Sequence, residues 1–435
     1  MNISIIGTGY VGLVSGVGFA SKGHNVTCVD IIEEKVNKIN EGEPPIYEKG
    51  LEELLKDVVE DGKLKATTDT VEAVKNTDIT FICVGTPSRD DGSIDTSGVE
   101  QAAKDIQKAL EEKEDYHVVC VKSTVVPGTT DEKVLPILEE SGKKVGEDFG
   151  LGMNPEFLRE GIALDDFLKP DRIVIGGWDE KSIKMIKECY TGFDAPKLEV
   201  DIRTAEMIKY SSNALLATKI SFANEMSRLC EKIGVDVYDV MDGVGLDHRI
   251  DRAFLNAGCG FGGSCFPKDV KAILDQAEKH DIEPKLLKAV LDVNKSQPIH
   301  TVGLLKEKIK DLEEKRVAVL GLAFKGGTDD IRETRALPIV YELVKCGADV
   351  IGYDPEASDN FSELIDDMEF ADSIEDALTA ADAVIIQNDW PEFKTLKSSD
   401  FESMKHKLII DARRLLDPDN LDDDIEYVGI GLGEK

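Results

Sequence analysis

Several sequence features that would indicate export or membrane insertion are missing from this chain of 435 residues. The N-terminus lacks the basic start and the long apolar stretch of a signal peptide, because a strand-like run begins at once with Ile3–Ile6. No apolar run reaches the ~20 residues that a membrane span needs. We therefore expect a cytoplasmic protein with no membrane partner.

Closely spaced cysteines are also missing. The eight cysteines form no CxxC pair, and no HExxH motif occurs. This spacing gives no support for a zinc site, so we expect no metal. Scattered thiols suit a reducing cytosol. Cys28, Cys83 and Cys120 lie in apolar strand-like runs and are expected to be core residues.

Positive charge is scarce. Lysine and arginine total 52 against 86 acidic residues, which gives a formal net charge of −34. Such a surface repels nucleic acid and anionic lipid, so neither is an expected partner. The acidity favours moderate adaptation to salt, as in a halophilic organism. An anionic ligand would then need a locally basic pocket.

The distribution of apolar runs and helical patterns predicts three domains. In the first domain, residues 1–198, strand-like apolar runs alternate with amphipathic helical stretches. This domain is expected to form a parallel sheet with helices on both faces. Its strands are predicted at 2–6, 25–29, 79–84, 117–122, 149–153 and 172–176. The pattern is typical of a doubly wound, Rossmann-like α/β domain.

The remaining segments differ in character. Residues 199–298 are predicted to be a helical domain, with one long helix over 204–233 and glycine-rich loops at 243–245 and 258–263. Residues 299–435 resume the α/β alternation, with a helix at 334–346. Strands are predicted there at 316–320, 348–353, 383–387, 407–411 and 427–429. The expected architecture is two Rossmann-like α/β domains joined by a central helical domain.

A glycine-rich turn directly follows the first predicted strand and opens a helix. Its glycines, Gly7, Gly9 and Gly12, permit a tight turn and a close approach to a pyrophosphate, and the helix start supplies N–H groups. Asp30 ends the second predicted strand, where an acid binds a ribose 2′-hydroxyl and repels a 2′-phosphate. NAD is therefore favoured over NADP. The alternative is an ordinary βα turn.

Two further loops follow strands of the same predicted sheet. Val84–Ser88 and Ser123–Val125 lie where open α/β sheets bind ligands. For each loop alone, ordinary turn chemistry is an equally good explanation, because glycine, proline, serine and threonine are common in turns.

The segment Gly260–Asp269 is the most informative for chemistry. We predict that Ser264 caps a helix with Pro267 in its first turn. Cys265 then lies at a helix N-terminus near Lys268, a setting that favours a thiolate nucleophile. Asp269 is four residues on and faces the same side of the helix. The alternative is a buried structural thiol, which the polar, glycine-rich surroundings disfavour.

Two pairs of polar residues are ambiguous by themselves. Glu156 and Glu160 are predicted to lie four residues apart on a helical turn, where they would either serve as base and hydroxyl ligand or stabilise a helix dipole. Lys209 and Asn213 have the same spacing on the long helix. Either the two side chains hold an oxyanion together, or Lys209 is an ordinary lysine that points into solvent.

Taken together, these motifs resemble the UDP-glucose 6-dehydrogenase family, within the UDP-glucose/GDP-mannose dehydrogenase group. The resemblance covers nearly the whole chain, because it continues into Gly321–Lys325 and Thr328–Arg332. It implies that Cys265 is the nucleophile. It also implies that Lys209 is the acid/base partner and that Asn213 helps to hold the oxyanion.

The resemblance also implies roles for further residues. Thr124, Glu156 and Asp269 would order or activate water. The implied NAD contacts are Gly7, Gly9, Tyr10, Val11, Gly12, Asp30, Lys35, Thr86, Thr124, Glu160, Lys268 and Arg332. The implied sugar-nucleotide contacts are Glu156, Phe157, Leu158, Lys209, Asn213, Arg249, Phe254, Gly262, Lys325 and Arg413.

The resemblance implies a four-electron oxidation of UDP-glucose to UDP-glucuronate through a thiohemiacetal and a thioester on Cys265. It also implies a homodimer or higher homo-oligomer that packs through the long helix, with Arg249 reaching a neighbouring subunit. GDP-mannose or another UDP-sugar is the alternative substrate. UDP-N-acetylmannosamine dehydrogenases typically carry histidine where Ser264 stands, whereas GDP-mannose dehydrogenases have a very similar cysteine loop. A non-catalytic sensor of sugar nucleotide and NAD is the alternative from another class.

Overall fold

A computed structural model describes residues 1–433, and the chain divides into two compact units, residues 1–212 and 213–435. No helix within residues 1–433 is both long and apolar enough to cross a membrane.

The first unit is built on an eight-stranded sheet. Its strands are β1 (Asn2–Ile6), β2 (Asn25–Val29), β3 (Leu64–Thr67), β4 (Ile79–Ile82), β5 (His117–Val121), β6 (Phe149–Met153), β7 (Ile173–Gly177) and β8 (Lys197–Val200). Their order in the sheet is β3-β2-β1-β4-β5-β6-β7-β8. The expectation of a wholly parallel sheet is wrong at one place, because β7 runs antiparallel to β6. Apolar runs carry no information on strand direction, which the course of the intervening segment decides.

Helices cover this sheet. They are α1 (Tyr10–Ser21), α2 (Glu33–Asn40), α3 (Leu51–Glu60), α4 (Thr70–Lys75), α5 (Ser97–Glu112), α6 (Leu135–Glu139), α7 (Ala163–Leu168) and α8 (Glu180–Cys189), with a π-helical turn at Thr130–Val134. The central strands β4 and β5 are buried along their whole length, as expected for strands covered on both faces. The two edge strands, β3 and β8, escaped prediction because lysine and glutamate interrupt their apolar pattern.

The predicted long helix is confirmed as α9 (Ile202–Ile233), which begins in the first unit and continues into the second. It is followed by α10 (Val237–Gly245), α11 (Phe266–Lys279) and α12 (Lys285–Lys308). The predicted loop at 243–245 is wrong, because Gly243 and Gly245 end α10. Burial of Val237 and Met241 on one face of α10 outweighs the cost of about 1 kcal/mol that each glycine brings to a helix.

A second, six-stranded parallel sheet forms the core of the second unit. Its strands are β9 (Arg316–Leu320), β10 (Asp349–Tyr353), β11 (Glu369–Phe370), β12 (Ala383–Ile386), β13 (Leu408–Asp411) and β14 (Glu426–Gly429), in the order β11-β10-β9-β12-β13-β14. Helices α13 (Ala336–Lys345), α14 (Ser358–Ser362) and α15 (Ile374–Leu378) accompany them, with 3₁₀ turns at Phe393–Thr395, Ser398–Phe401 and Pro418–Asn420. The expected fold class, two Rossmann-like sheets and a helical middle, is confirmed.

Candidate active site

The glycine-rich turn connects β1 to α1 as predicted, and each of its three positions requires or permits glycine for a different structural reason. Gly7 has a φ of +97°, and a Cβ there would lie 2.8 Å from the carbonyl oxygen of Cys83. A Cβ on Gly12 would lie 1.8 Å from the carbonyl oxygen of Gly7. A Cβ on Gly9 would meet no heavy atom of residues 1–433 within 4 Å. Gly7 and Gly12 therefore shape the turn, whereas Gly9 leaves space in front of the helix start for a pyrophosphate.

Asp30 directly follows β2 and is held beside this turn. Its Oδ2 accepts hydrogen bonds from Thr8 N at 3.1 Å and from Thr8 Oγ1 at 2.5 Å, while Oδ1 accepts from Ile32 N at 3.1 Å. The carboxylate remains partly exposed. These features fit an NAD ribose, because an acid at this position repels a 2′-phosphate.

Other residues predicted to contact NAD lie around the same turn. Tyr10 begins α1 and donates from its hydroxyl to the carbonyl oxygen of Tyr47 at 3.0 Å. Val11 is half-buried against the core, and Lys35 is half-buried on α2. Sequence reasoning missed Ile31, which follows Asp30 with 93% of its surface exposed. We expect so exposed an apolar side chain beside the glycine-rich turn to contact a bound cofactor.

The loops Val84–Ser88 and Ser123–Val125 contact each other. Buried Thr86, after β4, donates from Oγ1 to the carbonyl oxygen of Thr124, after β5, at 2.8 Å. Ser123 Oγ donates to the carbonyl oxygen of Val84 at 2.7 Å. The carboxyl ends of β4 and β5 are therefore joined, with half-buried Thr124 at their edge.

A buried ion pair lies in the same unit. Lys209 Nζ donates to Glu156 Oε1 at 2.7 Å, and both side chains are almost fully buried. Burial alone would raise the pKa of Glu156, but the charge and hydrogen bond of Lys209 and the backbone N–H of Leu158 hold it below its ordinary value. Lys209 is thus a desolvated lysine whose ammonium group binds a buried carboxylate, which suits acid/base chemistry.

The segment that carries Glu156 is not helical. Residues 154–159 follow β6 as an extended loop, so the expected helical turn with Glu156 and Glu160 on one face is wrong. Leu158 N donates to Glu156 Oε2 at 2.5 Å, which folds the loop around its own carboxylate. The ring of Phe157 packs under the guanidinium of Arg172 at 3.9 Å. Half-buried Glu160 lies beyond it, next to the turn that ends the loop.

Sequence reasoning also missed a buried carboxylate on α9. Glu206, one turn before Lys209, accepts from Gly128 N at 2.7 Å, Thr130 N at 3.0 Å and Thr130 Oγ1 at 2.6 Å. Burial raises its pKa to about 7. These hydrogen bonds tie α9 to the loop that follows Thr124.

Cys265 lies at the start of α11. The cap residue is Cys265 itself and not Ser264 as predicted, because the helix begins at Phe266 with Pro267 in its first turn. No side-chain hydrogen bond caps this helix. The Ser264 hydroxyl lies 3.5 Å from the Cys265 sulfur. A partly exposed sulfur at a helix N-terminus experiences the positive end of the helix dipole, which favours the thiolate.

Most of the other cysteines lack such a setting. Burial raises the pKa of Cys28, Cys83 and Cys189 to about 12 and that of Cys259 to about 11. Cys28, Cys83 and Cys120 are core residues as expected. These thiols are therefore protonated and shielded from substrates.

Asp269 connects Cys265's helix to α9 within the second unit. Asn213 Nδ2 donates to Asp269 Oδ2 at 2.6 Å, and Lys268 Nζ donates to Asp269 Oδ1 at 2.7 Å. Asp269 is buried, and its N–H donates to the carbonyl oxygen of Cys265 at 2.8 Å. The structure therefore brings together four residues that the sequence could only suggest as partners.

The second sheet repeats the placement of an acid after its second strand, but there the acid has protein partners. Asp354, after β10, is buried, and its Oδ2 accepts from Leu322 N at 2.8 Å, Ala323 N at 3.0 Å and Trp390 Nε1 at 3.1 Å. This carboxylate has no place for a ribose hydroxyl. The two Rossmann-like sheets are thus not equivalent binding sites.

The residues predicted to contact the sugar nucleotide or NAD from the second unit occupy several loops. Half-buried Phe254 has a φ of +66°, a strained conformation that often marks a functional site, and its ring meets that of Phe266 edge-on. A Cβ on Gly262 would lie 2.3 Å from the carbonyl oxygen of Glu333, so this glycine is also needed for packing. Arg413 Nε donates to the carbonyl oxygen of Gln387 at 3.0 Å.

Three more of these predicted residues are basic. Exposed Arg249 pairs with Asp247, and exposed Arg332 pairs with Asp330. Lys325 Nζ lies 5.5 Å from the centre of the Phe324 ring. The two aspartates neutralise the charge of both arginines here, so a locally basic pocket for an anionic ligand stays a prediction.

Comparison with known proteins identifies the chain. Residues 1–194, 203–296 and 318–418 match, in order, the NAD binding, central and UDP binding domains of one family. The chain belongs to the UDP-glucose/GDP-mannose dehydrogenase family. The resemblance predicted from its motifs is confirmed, and the protein is an NAD-dependent oxidoreductase.

Individual members of the family are similar over their full length. The chain is 48% identical to UDP-glucose 6-dehydrogenase AglM of Haloferax volcanii over 422 residues, which cover 96% of this chain and 97% of the relative. A UDP-glucose dehydrogenase structure from the hyperthermophilic archaeon Pyrobaculum islandicum has a TM-score of 0.92 at 42% identity and covers 99% and 97%. A UDP-D-ManNAc dehydrogenase structure from Pyrococcus horikoshii has a TM-score of 0.88 at 34% identity, with both chains fully covered.

Proposed function

We propose that this dehydrogenase oxidises UDP-glucose to UDP-glucuronate and reduces two molecules of NAD for each sugar nucleotide. The observation that carries the proposal is the position of Cys265, partly exposed at the start of α11. Oxidation of an alcohol to an aldehyde needs no thiol. A nucleophilic thiol is needed when the aldehyde is held covalently and oxidised a second time.

Each residue of the two clusters takes one role in this reaction. The Gly7–Gly12 turn would hold NAD, which would supply the hydride acceptor for both oxidations at C6. Lys209 takes the proton of the C6 hydroxyl in the first oxidation. The Cys265 thiolate then adds to the aldehyde carbon, and Lys209 and Asn213 stabilise the resulting oxyanion.

Hydrolysis completes the sequence. The second oxidation converts the thiohemiacetal to a thioester, and water attacks the thioester carbonyl. The C–S bond breaks, Cys265 leaves as a thiolate and the acid is released. Thr124, Glu156 and Asp269 position or activate this water, and the buried carboxylates of Glu156 and Asp269 support that role.

Substrate and cofactor contacts are proposed for the remaining predicted residues. NAD is assigned to Gly7, Gly9, Tyr10, Val11, Gly12, Asp30, Lys35, Thr86, Thr124, Glu160, Lys268 and Arg332. The sugar nucleotide is assigned to Glu156, Phe157, Leu158, Lys209, Asn213, Arg249, Phe254, Gly262, Lys325 and Arg413. We retain the division into an NAD-binding domain (1–198), a central helical domain (199–298) and a UDP-sugar-binding domain (299–435).

The stoichiometry of NADH formation tests the reaction. We expect two NADH per UDP-glucose, and we expect Cys265→Ser to release no free acid. The matched control is Cys346→Ser, because Cys346 is the other partly exposed thiol among residues 1–433 and lies at the end of α13. A normal yield of UDP-glucuronate from Cys265→Ser would refute the covalent mechanism.

A substrate panel separates the alternatives. GDP-mannose and UDP-N-acetylmannosamine are compared with UDP-glucose by NADH absorbance, at low and high salt because of the acidic surface. The Haloferax and Pyrobaculum relatives are both named for UDP-glucose, which favours that substrate. Binding of NAD and UDP-glucose without NADH formation would instead favour a sensor.

A homodimer is supported by an apolar stripe on α9. Leu215, Phe222 and Leu229 recur every seven residues and are 62%, 47% and 53% exposed. Large apolar side chains at this spacing lie along one helix face and are expected to be covered by a second copy. Phe222→Glu should shift the mass measured by light scattering to that of a monomer, whereas Lys219→Glu nearby is the control.

We further propose a cytoplasmic location, where Cys265 stays reduced.

A further inference from the structure

Lys122 is a buried cation that the proposed mechanism does not use. It follows β5 directly, and 3% of its surface is exposed. Its Nζ donates to Asn154 Oδ1 at 2.9 Å and to the Tyr190 hydroxyl at 3.1 Å. The rings of Phe167 and Tyr190 each lie 5.9 Å from Nζ. No carboxylate within residues 1–433 forms an ion pair with this ammonium group.

Lys122 places a second buried positive charge next to the ion pair of Lys209 and Glu156. Lys122 and Glu156 line one cavity of about 170 Å³, together with Tyr190 and Arg172. Glu156 already neutralises Lys209 at 2.7 Å. One buried carboxylate therefore faces two buried lysines, and the cavity wall also carries Lys169 and the guanidinium groups of Arg159 and Arg172.

No other group in this cavity neutralises the excess charge. Asp166 also lines it, but its carboxylate is held by Arg159 at 2.7 and 3.0 Å. Asp171, the remaining acid of the wall, is exposed to solvent. The cluster around the Lys209–Glu156 pair therefore keeps an excess of positive charge.

The thiols and the hydroxyl that face Lys122 are uncharged. Burial raises the pKa of Cys83 to about 12, and it also raises the pKa of Cys120 and of Tyr190. Burial lowers the pKa of Lys122 itself, with a further contribution from the charge of Lys209. The two lysines therefore disfavour each other's protonated form.

We infer that Lys122 is a positioning residue whose charge weakens the hold of the Lys209–Glu156 pair on its proton, which prepares Lys209 to accept the proton of the C6 hydroxyl. The O6–H bond breaks, an N–H bond forms on Lys209, and the hydride leaves C6 to NAD. A second cation beside a catalytic lysine is a recognised way to keep that lysine unprotonated, and so able to accept a proton, at neutral pH. The inference rests on the proposed oxidation of UDP-glucose.

The test is the pH profile of kcat/KM for NADH formation from UDP-glucose by full-length Lys122→Met. Methionine nearly preserves the volume of the side chain and removes its charge. The acid limb of the profile should move by about one pH unit to higher pH, since one nearby positive charge is lost. At a pH below the limb, the variant should then be about tenfold slower than the wild type.

Two controls separate charge from structure. Tyr190→Phe removes a hydrogen-bond partner of Lys122 but keeps the charge, so its acid limb should not move. Lys113→Met removes another partly buried lysine of the same unit, one that donates to the carbonyl oxygens of Val74, Lys75 and Thr77. It should also leave the limb unchanged.

Every outcome bears on the inference. An unmoved acid limb in Lys122→Met, or an equal shift in Tyr190→Phe, overturns it. If Lys122→Met does not fold, the pH profiles of Lys122→Gln and of the wild type test the inference in its place. A wild-type limb near the ordinary lysine pKa of about 10.4 overturns the inference, and a limb below about 9 supports it. A wild type that forms no NADH from UDP-glucose refutes the proposed function instead.

Discussion

The buried pair of Lys209 and Glu156 gives a quantitative prediction about stability. Glu156→Gln keeps the shape of the side chain but leaves the ammonium group of Lys209 buried without its counter-charge. Breaking a buried pair by removal of one partner costs about 3–5 kcal/mol. In a unit of 212 residues, each kcal/mol lowers Tm by roughly 2–4 °C, so we expect a decrease of roughly 10 °C.

The same pair predicts strong non-additivity. Lys209→Met should also destabilise the protein, because it leaves the buried Glu156 carboxylate without its hydrogen-bonded counter-charge. The double variant, Glu156→Gln with Lys209→Met, removes both charges of the pair and should be at least as stable as either single variant. Differential scanning calorimetry at pH 7.5 measures all four proteins of the cycle.

The pH dependence adds a second criterion. Because the pKa of Glu156 is lower in the folded state, its contribution to stability is present above the unfolded value and is lost as pH falls through the folded value. Wild type and Glu156→Gln should therefore converge in Tm in acid. If the double variant is destabilised by the sum of the two single effects, the charges of the pair do not stabilise each other. The same conclusion follows if Glu156→Gln still has a lower Tm than the wild type in acid.

Two further predictions concern the first unit. Gly12→Ala places a Cβ 1.8 Å from the carbonyl oxygen of Gly7, so it should lower both Tm and NAD affinity. In Gly9→Ala the added Cβ meets no heavy atom of residues 1–433, so Tm should not change. The affinity of Gly9→Ala for NADH, measured by fluorescence titration, should fall at least tenfold. If Gly9→Ala binds NADH normally, the turn does not approach the pyrophosphate. Glu206 has a folded pKa raised to about 7 from 4.5, so its contribution to stability is complete below pH 4.5 and is lost as pH rises through 7. That loss amounts to roughly 3 kcal/mol, and Glu206→Gln should flatten the Tm profile over that range; an unchanged slope would contradict the assignment.

The local motifs were predictable because they depend on short-range physics. The turn Gly7–Gly12 and the start of α11 around Cys265 follow from glycine conformations, proline in a first turn and apolar periodicity. The long helix over α9 is visible from its lack of glycine and proline. The same local patterns failed for residues 154–159, where the contact of Glu156 with Lys209 replaces helix formation.

Sequence by itself determined the class of the fold and the glycine-rich turn after β1, and it predicted Cys265 as the one reactive thiol among eight, because each depends on residues close together in the chain. The tertiary structure alone decided the partners of buried charges. Lys209 lies 53 residues from Glu156, and Asp354 lies 36 residues from Trp390. Desolvation makes these groups either reactive or structural, and desolvation depends on what the fold packs around them.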